Sequence, residues 1–185
     1  MFKIFRFILI FILFMNPLSI SASNYDNDLL NIYSKLMPRF ILMSSLKEKL
    51  QDKMSLCIVS DVEDEKYVEI LIAKSKKNYP HGIKNYEIVF IRSSYENIQE
   101  CKNTQLAFLF NTNSKNIEHF TLFSHKHTML TVGYSPETLE MGSDISLFIG
   151  RKIQPYINTE TIREKNITLE NILYRISKIY LEKDE

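Results

Sequence analysis

The sequence has few of the residues from which common catalytic and nucleotide-binding motifs are built. It contains four glycines, two cysteines and no tryptophan among 185 residues. The glycines are isolated from one another, at Gly82, Gly133, Gly142 and Gly150. No Gly-rich loop is therefore present to hold a phosphate, and the GxSxG and HExxH motifs are also missing. These absences predict a protein that is not an enzyme and carries no cofactor or metal.

An excess of charge of one sign is also lacking. The chain has 23 basic and 22 acidic side chains, a net charge of +1. Such a balance gives no electrostatic attraction to nucleic acid or anionic lipid, so we predict neither as a partner. The composition, 45% hydrophobic and 24% charged, is that of an ordinary globular protein. The length is enough for one domain with a sizeable core.

The first residues predict an export signal. Lys3 and Arg6 form a positive start, residues 7–15 an apolar core, and residues 17–23 a small, polar exit. Nine apolar residues are too few to span a bilayer comfortably. We assign residues 1–22 to a signal peptide and residues 23–185 to a single exported domain, with no membrane insertion once the signal is removed. The alternative is an uncleaved anchor, which places the folded part in the same oxidising compartment.

Strand and helix patterns alternate along the middle of the chain. Residues 54–61 form a short apolar run rich in β-branched side chains, as in a buried strand. Residues 61–77 begin with acids and end with lysines, the charge order that complements a helix dipole. Further strands are predicted at 86–94, 105–111 and 128–133, and a further helix at 113–123. The rhythm predicts an α/β fold with a mostly parallel sheet and flanking helices, in a Rossmann-like three-layer arrangement.

The two ends of the folded part predict helices, and a hairpin precedes the second. Residues 26–50 have helical periodicity with Pro38 inside, which predicts a kink or break near Met37. Residues 144–158 predict a β-hairpin that turns at 150–152. Pro155 then places the second strand at the sheet edge, or directs its missing donor outward.

A closing helix is predicted at the carboxyl end of the chain, over residues 168–181. Thr168 is placed to cap it. Ile167 and Ile172 are spaced to form a hydrophobic staple at its start.

The two cysteines lie on the predicted first strand and between the next two strands. In an exported protein Cys57 and Cys101 are expected to form a disulfide. The bond would close a loop of about 45 residues and contribute up to about 4 kcal/mol. Two buried free thiols are an alternative. A catalytic dithiol is a third, although the usual CxxC spacing is missing.

Two further patterns leave alternatives open. His125 and His127 project to one side if their segment is extended, which allows a zinc or copper site; a solvated loop with a pH-sensitive charge is the other interpretation. Asn166 lies in EKNIT, which resembles the acidic-extended glycosylation acceptor of some bacteria. A helix-capping turn explains the same residues.

In their order and spacing, these features resemble the YfiR/HmsC-like periplasmic regulators over residues 29–180. An amphipathic helix precedes SLCIVS, Cys101 follows Cys57 by 44 residues, and TMLTVGYSPETLEMGSDISLF leads to KIQPYIN and a closing helix. The positions that match the family's tail pattern are Thr131, Val132, Gly142, Ile145, Phe148, Ile157 and Asn158. The chain departs from that pattern at Ser143, Ser146, Gln154, Pro155 and Tyr156.

The resemblance implies a periplasmic, non-catalytic repressor. It would bind the outer sensory domain of an inner-membrane diguanylate cyclase and so lower cyclic di-GMP and biofilm formation, with Cys57 and Cys101 forming the disulfide that supports this competence. We suggest Phe148, Arg151 and Tyr156 as partner-binding residues, since aromatic and Arg anchors on an edge strand suit docking; ordinary edge-strand residues are the alternative.

Other functions and assembly states remain open at this point. One alternative is a periplasmic module that binds a small ligand or metal and feeds another membrane sensor. Another is an unrecognised secreted enzyme. A homodimer is compatible with the sequence.

Overall fold

A seven-stranded sheet forms the centre of the structure, a computed structural model that describes residues 25–181. Its strand order is β2-β1-β3-β4-β5-β6-β7. Strands β1 to β5 are parallel, β6 is antiparallel to β5, and β7 is parallel to β6. The strands are β1 (Lys53–Ser60), β2 (Glu87–Ser94), β3 (Leu106–Leu109), β4 (Leu130–Gly133), β5 (Ile145–Ile149), β6 (Ile153–Asn158) and β7 (Lys178–Tyr180). The predicted mostly parallel sheet with a late hairpin is confirmed.

Helices flank this sheet and supply most of the residues that cover it. The α-helices of the described part are α1 (Asn27–Leu42), α2 (Glu65–Asn78), α3 (Ser114–Lys126), α4 (Thr159–Glu164) and α5 (Asn171–Ile176). Asn113 caps α3, since its side chain accepts a hydrogen bond from the Asn116 amide. None of the described helices is long and apolar enough to cross a membrane. The predicted signal peptide lies outside the described residues.

The two faces of the sheet carry cores of different size. Alternate residues of β1 point to opposite faces, so Leu56 and Ile58 join a large cluster with α1 and α2, while Cys57 and Val59 join a smaller one under α3. The large cluster contains Tyr33, Met37, Phe40, Leu71 and Phe108; the small one contains Ile117, Phe120, Leu109 and Met129. Helices on both faces give the predicted three layers.

Of the two outcomes predicted for Pro38, a kink or a break, the break into two helices is wrong. The helix continues through Pro38 to Leu42, and a 3₁₀ turn, Ser45–Lys49, follows. A proline leaves the carbonyl four residues earlier without its helical donor. That carbonyl belongs to Ser34, and the Ser75 hydroxyl of α2 donates to it at 3.5 Å. The neighbouring helix therefore supplies the donor that Pro38 lacks.

The predicted closing helix is much shorter than residues 168–181. Only Asn171–Ile176 is helical, and the next residues form β7. Thr168 does not cap the helix, because position 170 precedes its first residue. Ile167 is buried but Ile172 is 47% exposed, so the predicted staple is absent. The segment instead extends the sheet by pairing with β6.

Strand β6 is an inner strand, because β7 pairs with its last three residues. The first of the two placements predicted for Pro155 is therefore wrong. The Asn158 amide donates to Asp144 in the hairpin, so the alternate positions, including Pro155, direct their amide side away from β5. Strand β7 pairs only with residues 156–158 of β6, which follow Pro155. The amide hydrogen that Pro155 lacks is therefore not needed for a hydrogen bond to either neighbouring strand.

Candidate docking surface

Three aromatic rings and one lysine form a cluster on the strands at the end of the sheet. The rings of Phe148 and Tyr156 are 5.7 Å apart, and the Tyr156 ring is 5.6 Å from that of Tyr180. The Lys178 ammonium lies 3.7 Å from the Phe148 ring centre and 5.2 Å from the Tyr156 ring centre. We call these four residues the aromatic cluster. Its rings are half-buried and its cation is exposed.

The structure thus brings together two of the three predicted partner-binding residues. Arg151 lies at the exposed tip of the hairpin, in the turn between β5 and β6. Ile149 and Ile153 flank that tip and are 57% and 43% exposed. Sequence reasoning missed Lys178 because it placed this residue inside a helix, whereas β7 sets it beside the hairpin.

The carboxyl ends of the parallel strands are where open α/β sheets bind ligands, at the point where the strand order reverses. In the order β2-β1-β3-β4-β5, that point lies between β1 and β3. Here Tyr25 occupies it and is only 4% exposed. Its hydroxyl donates to Asp64 Oδ2 at 2.7 Å and accepts from the Asn111 amide at 3.0 Å. The crevice is therefore filled by a side chain of the same protein.

Two other tyrosines hold the strand ends next to this crevice. The Tyr33 hydroxyl donates to the carbonyls of Gly133 and Tyr134 at 2.9 and 2.7 Å. The Tyr95 hydroxyl donates to the Phe110 carbonyl. Burial raises the pKa of Tyr33 and of Tyr95 well above that of a free phenol. Both phenols stay protonated, so they act as structural donors rather than as bases.

A buried ion pair lies near the opposite ends of the strands. Lys165 Nζ is 2.6 Å from Asp144 Oδ2, and both side chains are at most 1% exposed. The ammonium also donates to Ser124 Oγ at 2.9 Å and to the Met129 carbonyl at 3.2 Å. Asp144 Oδ2 accepts in addition from the Thr131 amide. With its donors engaged and no solvent contact, this lysine is placed for packing and not for chemistry on a substrate.

The two cysteines are joined, as the sequence analysis expected. Cys57 and Cys101 form a disulfide with their Cα atoms 5.4 Å apart, and both are fully buried. No free cysteine is present in the part of the chain that the structure describes. The bond excludes the alternative of two free thiols, and its burial leaves neither sulfur accessible for exchange with a substrate.

The histidine pair does not have the geometry that a metal site would need. His125 lies in α3 and His127 caps its end, so the segment is helical there and not extended. The His127 ring packs 4.4 Å from that of Phe123. Between residues 25 and 181 no three His, Cys, Asp or Glu side chains are grouped to hold a metal.

Asn166 lies in an exposed turn directly after α4. Its φ angle is 55°, and its amide donates to the Arg163 carbonyl. The turn ends α4, in agreement with the interpretation as a capping turn. Glycosylation at this position stays a prediction.

Together these features define a doubly wound α/β protein with a crosslinked first strand, a filled ligand crevice and an aromatic surface on its last strands. The chain belongs to the YfiR/HmsC-like family, whose sequence pattern matches residues 35–178. The match covers both cysteines, the hairpin and Lys178. A search of curated proteins finds no match.

Solved structures of very different sequence share the fold. A conserved domain protein from Vibrio cholerae O1 biovar El Tor strain N16961 matches with a TM-score of 0.62 and 12% identity, over 81% of this chain and 59% of its own. An ABC domain in complex with L-Trp from Streptococcus pneumoniae matches with a TM-score of 0.58 and 9% identity, over 82% of this chain and 60% of its own.

A third similar structure is the ligand-free, open form of a substrate-binding protein with adhesive properties from Clostridium difficile. Its TM-score is 0.58 with 9% identity, over 80% of this chain and 58% of its own. This chain therefore spans about three fifths of each of these structures. At such low identity the likeness extends to the fold alone.

Proposed function

We propose that this protein is a periplasmic regulator that binds the outer sensory domain of an inner-membrane diguanylate cyclase and represses it. Membership of the YfiR/HmsC-like family supports this role. A binder that prefers the inactive state of the cyclase shifts its population by the difference in affinity, without chemistry of its own. The consequence is less cyclic di-GMP and less biofilm.

The aromatic cluster and the hairpin tip are the proposed contact surface. Large aromatic and Arg side chains contribute most to binding energy at protein interfaces, and the hairpin offers both close to two exposed isoleucines. Lys178 holds the Phe148 ring by a cation–π contact, which fixes the surface before a partner arrives. A preordered surface loses less conformational entropy on binding. This half-buried, preordered group of rings beside the exposed hairpin tip is the observation that carries the proposal.

The disulfide supports a periplasmic location. Structural disulfides persist in oxidising compartments and are rare in the cytosol. The predicted signal peptide would deliver the chain there. Both considerations support a location on the side of the membrane where a sensory domain is exposed.

Surface variants test the contact assignment. Arg151→Glu and Tyr156→Ala are each expected to weaken capture of the cyclase from crosslinked membranes by about tenfold or more, and to raise cyclic di-GMP. Leu122→Ala is the matched control, because Leu122 is 66% exposed on α3. If both hairpin variants capture the cyclase as the unaltered protein does, the surface is wrong.

Deletion of the gene tests the function itself. Cyclic di-GMP should rise under conditions that induce the cyclase, since the repressor is gone. An unchanged level would contradict the role. Capture of no membrane protein, together with retention of a small molecule, would instead favour a module that feeds another sensor.

A further inference from the structure

The crevice that Tyr25 fills has the chemistry of a binding site for a phenol. Three aromatic rings surround the Tyr25 ring edge to face, with centroid distances of 4.8 Å to Tyr67, 4.7 Å to Phe110 and 4.6 Å to Tyr134. These rings come from α2, from the residue after β3 and from the residue after β4. Edge-to-face contacts of this kind stabilise a single flat ring in a defined orientation.

The polar end of the crevice matches a hydroxyl group in both directions. Asp64 Oδ2 accepts a hydrogen bond from the Tyr25 hydroxyl, while the Asn111 amide donates one to it. Asp64 follows β1 and Asn111 follows β3, so the hydroxyl bridges the two strands where the strand order reverses. A protonated amine could donate to Asp64 but could not accept from Asn111. The group that satisfies both partners is a hydroxyl.

Tyr25 itself belongs to neither wall of the crevice. It precedes Asp26, whose side chain caps α1 by accepting from the amides of Asp28 and Leu29. Removing the Tyr25 ring from the crevice therefore leaves this cap and the three surrounding rings in place. The walls are set by the sheet and α2, and the side chain between them comes from the segment before α1.

We propose that this crevice is a binding site for a small para-substituted phenol, and that Tyr25 closes it until such a ligand displaces the side chain. The site lies at the position where sheets of this topology bind ligands. The inference does not depend on the proposed partner, because it rests on the crevice and not on the hairpin. The apparent affinity for the ligand is the affinity of the open crevice multiplied by the fraction of molecules in which Tyr25 has left it.

The probe for this site is 4-methylphenol, which reproduces the tyrosine side chain. In Tyr25→Ala, calorimetry should show saturable binding of one equivalent. The unaltered protein should bind the same probe at least about tenfold more weakly, because Tyr25 competes. Tyr174→Ala removes a tyrosine that is 37% exposed on α5 and should bind as the unaltered protein does.

Toluene distinguishes a phenol site from a simple apolar hole. It fills the same volume but offers no hydrogen bond to Asp64 Oδ2 or to the Asn111 amide, so Tyr25→Ala should bind it at least about tenfold more weakly than 4-methylphenol. Equal binding of the two probes would overturn the proposal. So would the absence of 4-methylphenol binding to folded Tyr25→Ala, or its complete absence with the unaltered protein.

A second variant covers the case in which Tyr25→Ala does not fold. Tyr25→Leu retains apolar contact with the three rings but leaves both polar partners exposed to a ligand. Each variant refolded in the presence of 4-methylphenol should have a higher melting temperature than without it. Toluene should raise the melting temperature by less. If 4-methylphenol stabilises neither variant, the crevice is not a phenol site. None of these measurements involves the cyclase, so their failure leaves the proposed function untouched.

Discussion

The parallel body and the tail of this protein are stabilised by different kinds of interaction. The body, residues 25–133, has two apolar cores and a disulfide that joins β1 to the loop before β3. The tail, residues 144–181, has no disulfide. It joins the large apolar core through side chains such as Ile145, Ile157 and Leu173, and β5 pairs with β4 of the body. A buried ion pair adds a polar contact between the two parts. A crosslink within the body cannot hold the tail in place.

The ion pair is the polar part of the attachment between the tail and the body. Asp144 precedes β5 and accepts from Thr131 on β4, while Lys165 follows α4 and donates to Ser124 on α3. The pair therefore connects two elements of the body with two of the tail. Asp144 Oδ1 is the one buried side-chain oxygen of the described residues without a hydrogen bond. Burial of a charge that is only partly paired makes this attachment sensitive to the loss of its partner.

Loss of the lysine should have the largest effect on stability. Lys165→Met leaves the Asp144 carboxylate buried without a counter-ion and is expected to lower the free energy of unfolding by about 3–5 kcal/mol in urea denaturation. Arg163→Met, two residues away and exposed, is the matched control. Adding Asp144→Asn to Lys165→Met removes the stranded charge and should restore part of the loss. A change within about 1 kcal/mol for Lys165→Met would contradict the assigned attachment.

Removal of the crosslink should rank second and act on the body. Replacing both cysteines by alanine is expected to lower the free energy of unfolding by up to about 4 kcal/mol, because the separation of 44 residues sets the entropy of the closed loop. Amide exchange should rise beneath α3, where the smaller core lies, and rise less in the tail. Reaction of the thiols in folded, unreduced protein with an alkylating reagent would refute the bond itself.

The exposed ion pair between Lys47 and Glu170 should have the smallest effect. Lys47 lies 2.5 Å from Glu170 and, by this hydrogen bond, lowers the pKa of the Glu170 carboxyl. A lowered pKa gives stability that is present above the usual carboxyl pKa and lost as the pH falls through the lowered value. Glu170→Gln should therefore slightly lower the urea midpoint at pH 7 and leave it unchanged near pH 2.

High salt should reduce the difference between Glu170→Gln and the unaltered protein, because the pair is exposed to solvent. Glu164→Gln, an exposed carboxyl in the same tail, serves as the control. A loss at pH 7 as large as that of Lys165→Met would mean that the tail is attached at Glu170 instead.

The body could be predicted from the sequence because its signals are local. The apolar run of β1 and the charge order of α2 lie within short segments, and each predicts its element without reference to distant residues. The Asn113 cap is likewise adjacent to its helix. Short links between such elements favour right-handed crossovers, which led directly to the parallel sheet.

The tail could not be predicted in the same way because its structure depends on distant partners. Apolar residues at 172, 173, 176, 179 and 180 fit a helix, yet the open side of β6 pairs with residues 178–180 as a strand. The unpaired backbone N–H and C=O groups at a sheet edge stabilise an added strand, and this outweighs the weak helical preference of residues 178–180. The Lys165–Asp144 pair and the position of Tyr25 join residues far apart in sequence, and no local pattern marks them.

Because Pro38 removes one hydrogen-bond donor from α1, it constrains how the neighbouring helix α2 can pack against α1. A helix interior usually presents no unpaired polar group to its neighbours, but α1 presents the Ser34 carbonyl. A helix that packs against α1 leaves this carbonyl unpaired unless it brings a hydrogen-bond donor to the same height. Ser75 does so, and the Asn78 amide group contacts Ser34 Oγ one turn further on. The position of α2 along the axis of α1 is thus specified by the hydrogen bonds of Ser75 and Asn78, independently of the shapes of the apolar side chains between the two helices.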